Sequence, residues 1–246
     1  MYPLSVIMPL YNVAEFLPRS LKTVENQINK NFEFIIIDDG STDNTSEIAQ
    51  KFVDRNDNFR YVRVKHNGIS EARNSGVREA NGQWITFIDG DDWIEPTFTE
   101  FFLKAIDRYD IDMAVCGFTT EHSHKNNHVS NYHPFSKVVH RTDAYIRIVN
   151  LIGKVKGYTW NKIYRTDIIE KYHLRFEKDL TIMEDQVFNI QYASHVHNFY
   201  INTIPLYHYW QRGKSITHTY NITNFKSICN ADFQILNAIF KLKKQQ

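Results

Sequence analysis

Over its first 116 residues the chain repeats a single pattern, a short apolar run followed by a longer segment with apolar residues at helical spacing. Leu4 to Pro9 is the first run, and Glu15 to Ile28 follows with Leu17, Leu21, Val24 and Ile28 on one face. This spacing predicts a strand and then a helix. The alternation continues with strands at Phe32 to Ile37, Phe59 to Val64, Trp84 to Ile88 and Met113 to Cys116. Between them, helices are expected at Asn44 to Asp54, with Ile48 and Phe52 on one face, at Ser70 to Ala80, and at Pro96 to Tyr109, which shows Phe98, Phe101, Phe102 and Ala105. Short strands joined by helices require right-handed crossovers. The predicted fold class is therefore α/β, a mostly parallel sheet flanked by helices.

The second half is less regular. Thr119 to His140 is rich in His, Asn, Ser and Lys and reads as an exposed loop or hairpin; a helix is expected at Thr142 to Leu151, then an aromatic segment around Tyr158, Trp160 and Tyr164. Glu184 to about Ser194 is a further helix and Phe199 to Trp210 a strand. Thr223 to Leu242 is a long amphipathic helix with Phe225, Ile228, Phe233, Leu236, Ile239 and Phe240 expected inward. At 246 residues, 42% of them apolar, the chain can bury one large α/β core with an appendage and needs no staples.

Charge and cysteine content exclude several classes. Lys plus Arg number 29 against 28 Asp plus Glu, with no basic stripe, so nucleic acid is not an expected partner. Cys116 and Cys229 show no Cys-x-x-Cys spacing, which excludes a disulfide framework and points to a reducing, cytoplasmic setting. The opening residues read as a strand rather than a secretory leader, and no apolar stretch approaches the length of a membrane-spanning helix.

In a parallel sheet every strand delivers its following loop to the same edge, where ligands bind. Three polar clusters converge there: Asp38-Asp39-Gly40-Ser41-Thr42-Asp43, Asn67-Gly68, and Asp89-Gly90-Asp91-Asp92-Trp93. Asp89, Asp91 and Asp92 put three carboxylates within four residues. Mutual repulsion would raise their pKa values unless a cation sits among them. An all-oxygen set suits Mg²⁺ or Mn²⁺ held jointly with a substrate's phosphates. The competing reading is a solvated acidic turn with Asp92 capping the next helix. Asp38 and Asp39 could accept hydrogen bonds from a base or ribose, or form an ordinary turn into a helix capped by Asp43. Neither a Gly-x-Gly-x-x-Gly nor a Walker sequence is present, which excludes NAD and P-loop triphosphate binding.

Six blocks in order resemble family 2 inverting glycosyltransferases of the bacterial glycan type, which have the GT-A fold of nucleotide-diphospho-sugar transferases. They are Ser5 to Asn12, Ile37 to Asp43, Asn67 to Gly76, Gly82 to Trp93, Trp160 to Tyr164, and Glu184 to Phe188. The resemblance spans roughly residues 3 to 215 and implies a nucleotide-sugar-binding half at 1–118, an acceptor-binding and catalytic half at 119–220, and a terminal helix at 221–246. It implies that Pro9, Tyr11 and Asp39 contact the nucleoside, with Asp38 supporting the pocket and Arg73 and Asn74 facing the nucleotide. Asp89, Gly90 and Asp91 correspond to the Asp-x-Asp loop, with Asp91 and Asp89 as ligands of Mn²⁺ or Mg²⁺. Asp185, beside Glu184, corresponds to the catalytic base, and Arg212 and Ser215 to a loop closing over the diphosphate. Trp160, Asp92 and His208 are acceptor or sugar candidates; the plainer reading is a packed residue for Trp160 and His208 and a helix cap for Asp92. His122, His124, His128 and His133 lack the regular spacing of a zinc site.

The resemblance implies a UDP-sugar donor and a glycan acceptor, lipid-linked or on a glycoprotein, with inversion by direct displacement. Two alternatives stand beside it: a sugar nucleotidylyltransferase, against which Pro9-Leu10-Tyr11-Asn12 replaces a basic Gly-rich triphosphate loop, and a non-catalytic nucleotide-sugar-binding partner, which would not need Asp91 or Asp185. The terminal amphipathic helix, ending in lysines, could pack on the domain, form a homo-oligomer, or make a peripheral contact with an anionic membrane.

Overall fold

The computed structural model describes residues 2–122, 134–141 and 157–211, with isolated positions at 143, 144, 147, 228, 230, 231, 234 and 235. The sequence pattern becomes β1 (Leu4–Leu10), α1 (Leu17–Glu25), β2 (Phe32–Asp38), α2 (Thr45–Val53), β3 (Phe59–Arg63), α3 (Ile69–Glu79) and β4 (Trp84–Phe87). Then come β5 (Trp93–Ile94), α4 (Phe98–Arg108), β6 (Met113–His122), β7 (Ser136–His140), β8 (Lys162–Arg165), α5 (Thr166–Lys171), α6 (Glu184–Ala193) and β9 (Asn198–Gln211). Local chemistry explains the bounds. Pro18 enters the first turn of α1, where its missing N–H costs nothing, and Leu17, Ser20, Leu21 and Val24 form the buried stripe. The helix stops short of Ile28, which is exposed and whose amide donates to the Pro96 carbonyl.

The described strands form one sheet in the order β3-β2-β1-β4-β8-β6-β9-β5, with β7 also pairing β9. β3-β2-β1-β4 is the expected parallel block. Beyond it the sheet is mixed rather than mostly parallel: β8 lies antiparallel between β4 and β6, and β9 is parallel to β6 but antiparallel to β5 and β7. β8 sits between β4 and β6 with Ile163 buried in the core on one face and Tyr164 in the core on the other. The region after Thr119 begins as a continuation of β6, and β7 pairs with β9, so these two strands do not form a hairpin with each other.

Alternate residues of the strands feed two cores, one on each face. Leu4, Val6 and Met8 meet Leu17, Leu21, Phe98 and Phe102 on one side. Ile7, Ile35 and Ile37 meet Ala72, Val77, Val187 and Phe188 on the other. In the terminal segment Ala231 and Ile235 are buried in this second core, whereas Ile228, expected inward, is exposed. The remainder of the helix expected at Thr223 to Leu242 lies outside the described residues. No helix among the described residues is long and apolar enough to cross a membrane.

Candidate functional site

β1 is flanked by β2 and β4, so the chain winds away from it in both directions and opens a crevice at the carboxyl ends of these strands. Asp38 and Asp39 stand at the end of β2, and their carboxylates are held mainly by backbone amides and hydroxyls. Asp38 is wholly buried; Oδ1 accepts from the Ser41 amide, and Oδ2 from the Ser46 hydroxyl and Tyr61 Oη. Burial alone would raise its pKa, but these hydrogen bonds outweigh it and hold the carboxyl below its usual range. Asp39 accepts from the amides of Asn67 at 2.8 Å and Gly68 at 2.9 Å and contacts His66 Nδ1 at 2.7 Å. Gly68 has φ +88° and ψ 168°, a conformation open essentially to glycine, and this turns its N–H onto Asp39. Above this layer Tyr11, 44% exposed, stacks on His66 with ring centroids 4.0 Å apart. Pro9 is buried within β1.

The loop after β4 separates its three acids. Asp89 keeps 27% of its side chain exposed and Asp91 is half-buried, with its backbone carbonyl accepting from Arg19 Nη2 at 2.7 Å. Asp92 is turned inside. Its carboxylate accepts from Tyr207 Oη at 2.6 Å and the Trp210 amide at 2.8 Å, so it ties the loop to β9. Burial, with Asp91 and Asp89 adding repulsion, raises its pKa well above the ordinary carboxylate value. It neither caps α4, whose N-cap is Thr97, nor faces the crevice as an acceptor group. Gly90 acts through its backbone: the carbonyl accepts from Ser20 Oγ at 2.9 Å, and a Cβ here would run into Leu10.

At the centre lies Arg73, 4% exposed, projecting from α3 into a group of three carboxylates. Nη1 donates to Asp185 Oδ1 at 2.6 Å and to Glu184 Oε1 at 2.8 Å, and Nη2 to Asp89 Oδ1 at 3.3 Å. Nε is buried without a hydrogen-bond partner. Burial works against the charged guanidinium, but the three carboxylates together hold its pKa above the ordinary arginine value. Arg73 thus binds the site's acids rather than lying open to a nucleotide. Glu184 and Asp185 open α6 directly after Met183, whose φ of +67° is left-handed and unusual for a side chain of this kind. Asp185 is 15% exposed. Oδ2 accepts from Thr159 Oγ1 at 3.1 Å and the Thr159 amide at 3.3 Å. Desolvation pushes its carboxyl up to about 7 against the opposing pull of Arg73, with Glu184 and Asp89 adding to the rise.

Other sequence candidates take different places. Asn74 does not face the crevice: it is buried and clamps the backbone of Phe176, donating to its carbonyl and accepting from its amide. Trp160 offers no open face to a sugar, because it is stacked on Tyr158 at 4.7 Å and on Tyr207 at 4.2 Å. His208 is a packed strand residue stacked on Trp93, with Glu121 at Nδ1 and Glu95 at Nε2. Arg212 and Ser215 lie outside the described residues.

Three residues escaped the sequence reading. Thr159 bonds the Asp185 carboxylate, and Asn189 Nδ2 donates to the carbonyls of Gly157 and Asp185, fixing the start of α6 to the segment before β8. Lys162 is wholly buried, its ammonium bonded to the Tyr158 carbonyl and Asn161 Oδ1, and desolvation lowers its pKa to about 7, with Asp185 drawing it back up. Only the position of Lys162 inside the Trp160-to-Tyr164 block signalled it.

A family model, "Glycosyl transferase family 2", matches residues 5–173. The chain belongs to glycosyl transferase family 2. EpsH of Bacillus subtilis strain 168, which carries a glycosyltransferase designation, is 30% identical over 225 residues, covering 91% of this chain and 65% of EpsH. The chain therefore spans less than two thirds of this relative. Among solved structures, TarS 1–349 of S. aureus in complex with UDP-GlcNAc superposes with a TM-score of 0.78 at 22% identity, covering 96% of this chain and 67% of that one. The mannosyltransferase PcManGT of Pyrobaculum calidifontis, solved with GDP-Man and Mn²⁺, gives 0.60 at 16% identity, with 96% and 73% covered. The fold is the GT-A arrangement expected from the six blocks.

The family 2 assignment raises the question of a divalent cation, and the residues present fit one. Asp89, partly exposed, and Asp91, half-buried, lie two residues apart in the loop at the carboxyl edge and offer carboxylate oxygens, while Asp92 is withdrawn into the protein. Among the described residues no group of three or more His, Cys, Asp or Glu is placed to hold an ion unaided. Two carboxylates at an open edge suit a hard cation whose remaining ligands are water and a substrate's phosphates.

Proposed function

We propose that the chain carries the catalytic domain of an inverting glycosyltransferase that moves one sugar from a UDP-sugar to a carbohydrate acceptor. The observation that carries this reading is the junction at Arg73, where the acid after β4 meets, through one guanidinium, a carboxyl at the start of α6 whose pKa is raised to about 7. A general base is most effective when its pKa lies near the working pH, and help of this kind contributes about 10²–10⁴-fold. Asp185 is that base: it takes the proton of the acceptor hydroxyl as the oxygen attacks the anomeric carbon, and the nucleoside diphosphate departs from the opposite face. Attack opposite the leaving group inverts the anomeric centre. Thr159 fixes the carboxylate for this task from behind.

The nucleoside lies over the β2 end, against the Tyr11 and Asp39 surface, and the complex of TarS with UDP-GlcNAc supports a uridine nucleotide. Asp89 and Asp91 would hold Mn²⁺ or Mg²⁺, which when bound stabilises negative charge on the departing diphosphate. Arg212 and Ser215 are assigned to closure over the diphosphate on resemblance alone. The acceptor is a glycan, in line with the family's part in polysaccharide synthesis.

The deciding experiment incubates the protein with UDP-, GDP- and dTDP-sugars, with Mn²⁺ or with EDTA, and measures release of nucleoside diphosphate. Slow, metal-dependent hydrolysis of one UDP-sugar is expected. Absence of hydrolysis across the panel, together with absence of any melting shift, would overturn the donor assignment.

A further inference from the structure

Three carboxylates from two distant segments share one cation, and the sharing is unequal. Arg73 Nη1 makes the short contacts, 2.6 Å to Asp185 and 2.8 Å to Glu184, whereas Nη2 reaches Asp89 at only 3.3 Å, beyond the usual span of an N–H···O bond. Nε, buried in the same cluster, has no acceptor. A buried arginine that leaves one N–H unspent and one contact long is not locked by its full set of bonds, so loosening its hold on Asp89 costs little. Asp89 is also the most exposed of the three acids, 27% against 13% for Glu184 and 15% for Asp185. A cation from solvent reaches this acid first.

From this geometry we infer that Arg73 is a positioning residue that serves as the resident counter-ion of Asp89 and is displaced from it when a divalent cation binds. The inference rests on the reading of Asp89 and Asp91 as the metal side of the donor site. A divalent ion on Asp89 takes up the carboxylate's lone pairs and repels the guanidinium. Arg73 then retains its shorter contacts to Glu184 and Asp185. The metal must therefore compete with a built-in cation, so it binds weakly alone and strongly with a diphosphate that supplies further ligands. One guanidinium thus makes occupancy of the donor loop felt at the carboxyl proposed as base.

The test uses Mn²⁺ alone and Mn²⁺ with UDP, following the signal of free Mn²⁺ by electron paramagnetic resonance, with no turnover involved. Removing a full positive charge beside Asp89 in Arg73→Met should tighten binding of Mn²⁺ alone by about tenfold. Arg73→Lys keeps the charge but presents a single ammonium that cannot span three acids, and should tighten binding by about threefold. Thermal melting identifies a variant that fails to fold, and the lysine variant then carries the test. Equal or weaker Mn²⁺ binding in the folded variants would show that Arg73 merely holds Asp89 in place and would overturn the inference alone. No Mn²⁺ binding by the wild-type protein, even with UDP, would overturn both it and the metal assignment beneath it.

Discussion

Two groups of carboxylates face the carboxyl edge of this sheet, Asp38 with Asp39 after β2, and Asp89 after β4 with Glu184 and Asp185 at the start of α6, and they end in opposite electrostatic situations. At the β2 end Asp38 and Asp39 are met by amides, hydroxyls and a phenol, all within a few tens of residues in sequence. These donors satisfy the charge where it is, and Asp38 is held as a carboxylate below its usual range. At the β4 end and the start of α6, Asp89, Glu184 and Asp185 meet mainly one another and a single arginine. Here burial pushes Asp185 up to about 7 against the pull of the one cation, Arg73, with Glu184 and Asp89 adding repulsion. Neutral donors make an acid a structural part of the turn it closes. A shared, insufficient cation leaves it reactive and ready for another positive partner.

The largest test of this contrast is Asp185→Asn, which keeps the side-chain shape but removes the base. Transfer should fall by about 10²–10⁴-fold while UDP-sugar affinity, measured by calorimetry, stays at the wild-type value. Full transfer would place the base elsewhere. The β2 cluster should respond in the reverse way: Asp38→Asn puts an amide N–H₂ among donors and should cost about 2–3 kcal/mol of stability in a denaturant melt, with activity per folded molecule retained. A wild-type midpoint would refute the structural role given to Asp38.

The pH dependences should separate in the same manner. Asp185 works unprotonated, so turnover should rise as pH is raised through about 7 and level off above it. Asp38 has a lowered pKa in the folded state, so its contribution to stability is complete above the ordinary carboxylate range and is lost only as pH falls below that range. Between the two ranges the protein should be folded but slow, as circular dichroism alongside rate measurements would reveal. Loss of fold and activity at one pH would erase the distinction. The smallest effect belongs to Thr159→Val, which deletes one hydrogen bond to the charged form of Asp185. It should move the rising limb upward by about half a pH unit, equivalent to about 0.7 kcal/mol, without changing donor affinity.

Much of the frame was legible because it follows from period. Apolar runs of β1, β2 and β4 and the stripes of α1 and α4 belong to local patterns, and the structure places them within a few residues of expectation. β8 was not legible, since Lys162-Ile163-Tyr164-Arg165 is only four residues long with a basic residue at each end, too short to show a period. At the site, the strand-end acids could be located, but their orientation could not. Asp89, Asp91 and Asp92 are near neighbours in the chain, yet only Asp92 turns inward, because Tyr207 and the Trp210 amide reach it from β9. Asn74 and Trp160 read as site residues and proved to be packing, each claimed by groups far away in sequence.

The sequence by itself determined the alternation of strands and helices, the edge at which the acids gather, and the family to which the chain belongs, since these depend on local periodicity and on motifs read in order. Only the tertiary structure decided which acids are neutralised and which are left in tension. Arg73 and Asp185 are 112 residues apart, and Thr159 approaches from a third segment. A carboxylate's pKa answers to whatever lies within a few ångströms, and that is settled by how the sheet is ordered rather than by neighbours along the chain.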